Sequence, residues 1–207
     1  MDIFRDNMYR LEQVIEIASS KADTTTAGLL SFSPDGKYLY YYTKYDSDSK
    51  TGSLCRAEYG KLKEDSSKND KYIEIIATNV ALGFRFLNDG TVTYENSDGT
   101  LYYFNGKEAT QIAKNVSYYF TDESKRIVYT TGDVSEGYTL YGVELSDIDN
   151  KIKLASNITN IQNVSDFNNI LYTKNEDDGS QTLYVVGFEK EGEKLAESVS
   201  NLTQVGG

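Results

Sequence analysis

The chain has 207 residues, 21 of them basic and 32 acidic, and its net charge of −11 argues against a nucleic-acid backbone or an anionic membrane surface as the main partner. It contains no histidine and a single cysteine, which excludes Ser–His and Cys–His nucleophiles, imidazole and paired-cysteine metal sites, and an intramolecular disulfide in this chain. With 18 tyrosines and one proline, the composition favours β-structure.

The first element, residues 1–30, supports two interpretations. It contains Met8-Tyr9 and Ile17-Ala18, pairs that recur later as markers of a third and a fourth strand, so it is predicted to form half of a four-strand unit. The alternative is an amphipathic helix within residues 8–20, since apolar side chains follow helical spacing from Leu11 onward.

Four further units follow, and the two markers recur in them in the same order. The first marker is Leu followed by Tyr or Cys, spaced by 39 to 47 residues, at Leu54-Cys55, Leu101-Tyr102, Leu140-Tyr141 and Leu183-Tyr184. The second is Ile or Leu followed by Ala and, two positions later, Asn; these asparagines are Asn79, Asn115 and Asn157, and we assign Asn201 to the same series. Two markers that keep their order at this period predict internal repeats of a four-strand unit, as in a β-propeller.

The units are predicted to span residues 31–80, 81–116, 117–158 and 159–207. Each opens with two strands joined by a turn; FSPDGKYLY at 32–40 and FLNDGTVTY at 86–94 match in register and keep the Gly that allows a positive φ. The predicted fold class is all-β, namely a β-propeller or an open propeller fragment of about four and a half four-stranded antiparallel blades that together form one domain.

The two ends of the chain do not combine into one blade, because it begins with half a unit and ends after a complete one. We therefore expect the chain to be a piece of a longer repeat protein. An unpaired half blade exposes a strand edge, which predicts self-association through the N-terminal edge.

The turn motif at residues 32–40 resembles the WD-like repeats of TolB-type periplasmic proteins and of the propeller domains of prolyl-oligopeptidase-type peptidases. In those families the motif spans the turn between the first two strands of a blade. The resemblance implies a bacterial, extracytoplasmic propeller. The Gly-His and Trp-Asp signature of eukaryotic WD repeats is absent because the chain has neither His nor Trp, and no catalytic residue carries over.

Three acidic segments have the oxygen-rich composition of calcium loops, at residues 46–52, 147–149 and 175–179. In the first, Lys50 occupies a ligand position and no Glu closes the site. We interpret all three as solvated turns, because Asp, Asn and Gly favour turns for backbone reasons. Ser135 lies in a Gly-bounded stretch, residues 132–137, that lacks a base, so we interpret it as a loop serine.

Three further features have a structural interpretation. Cys55 stands in a strand marker and is predicted to be a buried small side chain. Asn-X-Ser/Thr sequons occur at Asn115, Asn157, Asn163 and Asn201, three of them in the marker series, and are interpreted as strand-end asparagines. The tyrosine clusters at 38–42 and 118–119 alternate between sheet faces, and we expect most of these rings in the core.

These observations favour a non-enzymatic binding or scaffold module of the cell envelope or the extracellular space, with an unknown protein, peptide or glycan as partner. We expect no catalytic residue, no metal and no cofactor, and the sequence assigns no ligand-binding residue. The alternative is a substrate-recognition or gating propeller domain of a larger hydrolase. No stretch is long and apolar enough to span a membrane, and residues 1–6 lack the basic start and apolar run of a signal peptide.

Overall fold

The computed structural model describes residues 30–63, 65, 68–122, 125–164 and 167–199. The half blade or helix predicted before residue 30, and with it the N-terminal strand edge, lies outside the described residues. Within them, regular structure consists of antiparallel strands and two short 3₁₀ helices, Tyr59–Lys61 and Asp70–Tyr72. The chain divides into two compact units, residues 1–111 and 112–207, and the division falls within the strand Ala109–Ala113.

The first sheet contains seven strands in sequence order. They are β1 (Ser31–Phe32), β2 (Tyr38–Asp46), β3 (Thr51–Glu58), β4 (Ile73–Phe86), β5 (Val92–Asn96), β6 (Leu101–Phe104) and β7 (Ala109–Ala113). The 14-residue β4 pairs with β3 through residues 73–81 and with β5 through residues 80–86. A single strand therefore closes one four-strand set and opens the next, and the predicted boundary between residues 80 and 81 falls inside it.

The second unit contains two four-stranded antiparallel sheets, ordered β11-β10-β9-β8 and β12-β13-β14-β15. Their strands are β8 (Val116–Thr121), β9 (Arg126–Thr131), β10 (Tyr138–Glu144), β11 (Ile152–Ile158), β12 (Asn160–Asn163), β13 (Ile170–Asn175), β14 (Gln181–Gly187) and β15 (Lys190–Ala196). The core between these sheets is built by Leu140 and Ile158 from one side and by Ile170 and Tyr172 from the other, all buried.

Each fourth-strand marker ends in a residue with a left-handed backbone. The φ angle is 55° at Asn79, 53° at Asn115 and 56° at Asn157. Asn adopts this region more readily than most side chains, which gives a backbone reason for the repeated asparagine. In the last unit the residue with this conformation is Ser198, with φ of 55°, two positions after the Leu-Ala pair at 195–196. Ser198 thus occupies the place that the sequence pattern gave to Asn201, which lies outside the described residues.

The third-strand marker places stacked tyrosines in three of the four sets. The pairs are Tyr94–Tyr102, Tyr129–Tyr141 and Tyr172–Tyr184, with ring centroids 5.3 to 5.4 Å apart. In the first set the register pairs Tyr41 with Cys55 instead. Cys55 is 1% exposed, as predicted, and Tyr59 and Leu62 pack against its cluster. The segment that follows β3 therefore covers the face that a second tyrosine fills in the other sets.

Alternation along β2 distributes its aromatic side chains between two clusters. Tyr40 and Tyr42 pack with Leu54 on one face, whereas Leu39 and Tyr41 lie with Cys55 on the other. The rings of Tyr40, Tyr41 and Tyr42 are all buried. Tyr38 is half-buried, and the prediction that most of the rings at 38–42 lie in the core is confirmed.

Arg126 links the two sheets of the second unit. Its Nε donates to Oδ2 of Asp122 at 2.8 Å, and a terminal nitrogen donates to Oδ1 of Asn168 at 3.1 Å. The guanidinium carbon lies 5.1 Å from the ring centroid of Phe188 and 5.8 Å from that of Phe167. Because Asp122 precedes β9 and both rings flank the other sheet, Arg126 bridges the two sheets beside their shared apolar core.

A glycine permits the close approach of chain segments beside this cation. A Cβ built at Gly187 would overlap the backbone carbonyl of Asn168. Nearby, a Cβ at Gly142 would lie 2.8 Å from the ring of Phe188. Gly142 therefore permits the two sheets to approach each other, whereas Gly187 permits the turn before β13 to approach the end of β14 within one sheet.

Candidate functional site

A pocket of about 300 Å³ lies between the two sheets of the second unit, at one end of their shared core. Its walls come from β8, β9, β10, the β9–β10 loop and the start of β12. The lining residues are Tyr118, Phe120, Thr130, Val134, Tyr138, Thr159, Asn160 and Ile161. We call this space the inter-sheet pocket. Phe120, Tyr138 and Ile161 also pack against the core cluster, so part of the pocket wall is continuous with the core.

Hydrogen bonds hold the β9–β10 loop, residues 132–137, at the rim of this pocket. Oδ1 of Asp133 accepts the backbone N–H of Ser135 at 2.8 Å and that of Glu136 at 3.2 Å. The Ser117 hydroxyl of β8 donates to the carbonyl of Gly132 at 2.6 Å and ties the loop to the sheet. Val134, at the tip, remains 77% exposed despite this anchoring, so the loop presents an apolar side chain to solvent.

Two tyrosines form an exposed aromatic wall beside Val134. Tyr118 is 57% exposed, and its ring meets that of Tyr138 edge to face, with centroids 5.7 Å apart. A hydrogen bond with Tyr118 raises the pKa of the Tyr138 hydroxyl, and desolvation and the charge of Asp133 add to this shift. The Tyr138 phenol is therefore neutral at pH 7. Most of the clustered tyrosines were expected in the core, and Tyr118 is an exception because its position on β8 faces the pocket.

The side chains that line the inter-sheet pocket are uncharged, whereas those at its rim are acidic. Every lining side chain is aromatic, aliphatic, hydroxyl or amide. The hydroxyl of Thr130 is fully buried and has no hydrogen-bond partner among the described residues. Asp133 and Glu136 are exposed on the rim loop, and hydrogen bonds from Ser135 lower the pKa of Asp133, so that it is ionised at neutral pH. The site suits an apolar group carried next to a cation.

The three acidic segments form turns in the structure. Oδ1 of Asp46 accepts the N–H of Asp48 at 3.0 Å, and Oδ1 of Asp178 accepts that of Ser180 at 2.9 Å. In the third, the N–H of Asp147 donates to the carbonyl of Glu144. Across the part of the chain that the structure describes, no three acidic or cysteine side chains come together as a potential metal site.

The other residues singled out by the sequence do not converge on one site. The Ser135 hydroxyl donates to Asp133 at 2.5 Å, so it belongs to the rim loop, as predicted. Cys55 is buried against Thr43, with Sγ and Oγ1 3.5 Å apart, and burial raises the pKa of its thiol. Asn115 and Asn157 have the left-handed backbone described above, and the side chain of Asn163 lies outside the description.

Sequence reasoning missed the inter-sheet pocket. Val134 carries no motif, and Tyr138 stands outside both tyrosine clusters. The signal in the sequence was a valine between Asp and Ser in a Gly-bounded loop, since apolar side chains at loop tips are uncommon.

No protein-family model matches the chain, and no curated protein matches it significantly. Solved structures do. The acylaminoacyl peptidase of Pyrococcus horikoshii is similar with a TM-score of 0.50 at 11% identity, over 78% of this chain and 31% of that one. A puromycin-hydrolyzing peptidase of Mycobacterium tuberculosis is similar with a TM-score of 0.50 at 11% identity, over 85% and 29%. TolB from Acinetobacter baumannii gives a TM-score of 0.42 at 12% identity, over 81% and 45%.

The fold is that of a β-propeller made of antiparallel sheets, and the fold class predicted from the repeats is confirmed. At these identities the similarity establishes fold alone. The chain spans less than half of the length of each solved chain named above. Within the described residues, no helix is long and apolar enough to cross a bilayer.

Proposed function

We propose that this chain is a non-enzymatic binding module that recognises its partner through the inter-sheet pocket, in the cell envelope or outside the cell. The observation that carries the proposal is an exposed apolar wall, Tyr118 and Val134, held at a concave site by a hydrogen-bonded loop. Concave sites lined by aromatic side chains and a few fixed polar groups are typical of ligand recognition.

The absence of charge inside the pocket supports binding rather than catalysis. General acid–base or nucleophilic chemistry requires a titrating or activated group within reach of the bound molecule. The lining provides phenols and hydroxyls, and the Tyr138 phenol is shifted towards its neutral form. The extracytoplasmic location is proposed from the repeat motif at residues 32–40 and its resemblance to TolB-type repeats.

The test is a binding screen with the intact chain, using short peptides and neutral saccharides and following the methyl signals of Val134 and Ile161 by NMR. We expect at least one class to shift these signals and to be recovered chemically unchanged by mass spectrometry. Val134→Asp should abolish the shifts of Ile161. The matched control is Leu195→Asp, which introduces the same charge at an apolar side chain that is 49% exposed on β15, the opposite edge of the sheet from β12. Turnover of the bound compound, or equal effects of both variants, would refute the proposal.

A second candidate function is substrate recognition or gating within a larger hydrolase. It is favoured by the similarity in fold to two peptidases, each matched over less than a third of its length. A full-length gene that encodes a Ser/Asp/His domain beside the repeats supports this candidate. A signal or anchor segment accompanied only by further repeats supports the first.

A further inference from the structure

The inter-sheet pocket lies beside an available strand edge. β12 is the terminal strand of its sheet, and among the described residues its strand partner is β13. Asn160 and Ile161 belong to β12 and line the pocket. One side of this strand therefore offers backbone N–H and C=O groups next to an apolar cavity. An extended peptide satisfies both features at once, because its main chain pairs with the edge while alternate side chains point to one side.

The size of the pocket limits what enters it. A volume of about 300 Å³ lies at the low end of the range of about 300–1,000 Å³ that ligand sites span. It holds one large side chain better than a cofactor. Val134, Phe120 and Ile161 give the cavity an apolar surface, so an uncharged aromatic or branched aliphatic side chain fits it.

The acidic residues at the rim of the pocket favour a basic residue next to the side chain that enters it. Asp133 and Glu136 stand on the rim, and the whole chain carries a net charge of −11. The rim charge acts on the pocket wall, since the carboxylate of Asp133 contributes to the raised pKa of Tyr138. A lysine or arginine beside the inserted side chain is attracted to this rim, and an acidic residue is repelled.

We infer that the inter-sheet pocket binds an extended peptide segment whose main chain pairs with the edge of β12 that no described strand occupies. The uncharged apolar side chain of this segment enters the pocket, and its neighbouring residue is Lys or Arg. This inference rests on the proposed binding function and names its ligand class. A short strand gives few main-chain hydrogen bonds, so a small peptide binds weakly and specificity comes from the pocket and the rim.

The probe is acetyl-Lys-Val-Phe-Lys-amide, titrated into the isotope-labelled intact chain. Two comparison peptides replace both lysines by glutamates or replace the Val-Phe pair by Gly-Ser. We expect the first peptide to shift the backbone signals of β12 and the methyl signals of Val134 and Ile161. Each comparison peptide should bind with an affinity lower by a factor of about ten or more. Equal binding of all three peptides would overturn the inference.

Two N-methylated versions of the probe test strand pairing. Successive backbone N–H groups of an extended peptide point in opposite directions, so methylation of one blocks pairing with β12 and methylation of its neighbour leaves pairing intact. We expect one version to lose binding and the other to keep it. Retention of binding by both versions contradicts pairing with β12.

Charge selection is tested with Asp133→Asn, which keeps an oxygen acceptor for the loop hydrogen bonds. We expect it to weaken binding of the lysine peptide about threefold and to reduce its dependence on salt. Asp178→Asn is the matched control, because Asp178 makes the same type of turn to Ser180 in another exposed loop. An equal effect of the two variants contradicts the assigned role of the rim.

A neutral saccharide, cellobiose, separates failure of this inference from failure of the proposed function. If cellobiose shifts the signals of Val134 and Ile161 and no peptide does, the pocket is a binding site and the peptide inference is wrong. If neither class shifts them, both proposals fail.

Discussion

Replacement of Arg126 by Met tests whether one cation holds the two sheets of the second unit together. Met retains an unbranched apolar stem but removes the charge. The variant loses the charge-assisted hydrogen bonds to Asp122, worth about 1.5–3 kcal/mol, since both side chains of this pair are only 18% exposed. It also loses the contacts with Phe167 and Phe188, each worth about 0.5–1 kcal/mol. We expect the free energy of unfolding to fall by about 3 kcal/mol.

The assay is urea unfolding followed by far-UV circular dichroism, with an unchanged dependence on urea concentration as the sign that the folded state is intact. The matched control is Lys153→Met, which removes the same charge from an exposed side chain of β11 in the same unit and should change stability by less than about 0.5 kcal/mol. A double-mutant cycle with Phe188→Leu isolates the ring contact, and its coupling energy should be about 1 kcal/mol. Equal losses for Arg126→Met and Lys153→Met, or a coupling energy of zero, would refute the role assigned to Arg126.

Three further predictions concern single side chains. Burial raises the pKa of Glu95, so the folded chain binds this proton more tightly than the unfolded chain, and the stabilisation present at acidic pH is lost as pH rises through the folded pKa. Glu95→Gln should therefore increase the free energy of unfolding at pH 7 but not below about pH 4. The exposed control Glu144→Gln should have little effect in the same urea titrations. Gly187→Ala should cost about 1–3 kcal/mol because its Cβ overlaps a backbone carbonyl, whereas Gly60→Ala, with open space around it, should change the thermal midpoint little. Cys55 should react with a thiol-specific disulfide reagent about 100-fold or more slowly in the native protein than in urea, and rapid native labelling would contradict its burial.

The candidate site shows where sequence patterns stop being informative. Tyr118 was assigned with Tyr119 to alternating faces, and Tyr119 is indeed buried while Tyr118 is exposed. Which of the two faces is open depends on how far the neighbouring sheet extends, and strand alternation carries no information about that. Val134 became part of the site because the Ser117 hydroxyl ties its loop to β8 through the carbonyl of Gly132, a contact that no local pattern predicts. The hydrogen bond from Ser135 to Asp133, in contrast, is a local turn contact within the loop.

The charged segment between β3 and β4 is a second case. Its charged composition is typical of a solvent-exposed loop, and most of its described side chains are exposed. Asn69 nevertheless is 1% exposed, and its side chain bonds both the N–H and the carbonyl of Lys63. Tyr59 and Leu62 turn inward beside Cys55. The first set has Cys55 where the other sets have a tyrosine, and side chains from the segment after β3 pack beside this smaller residue.

Local chemistry determined what the sequence could reveal by itself. The period-two alternation of β2, the glycine turns at Gly36 and Gly90, and the left-handed asparagines each act within a few residues, so the strands, turns and repeat follow from the order of side chains. The tertiary structure alone decided that β4 pairs with both β3 and β5, that Arg126 contacts the rings of Phe167 and Phe188, and that a pocket lies between the two sheets of the second unit. These features depend on the distance between segments far apart in the chain, and that distance is set by packing of whole sheets rather than by any local preference.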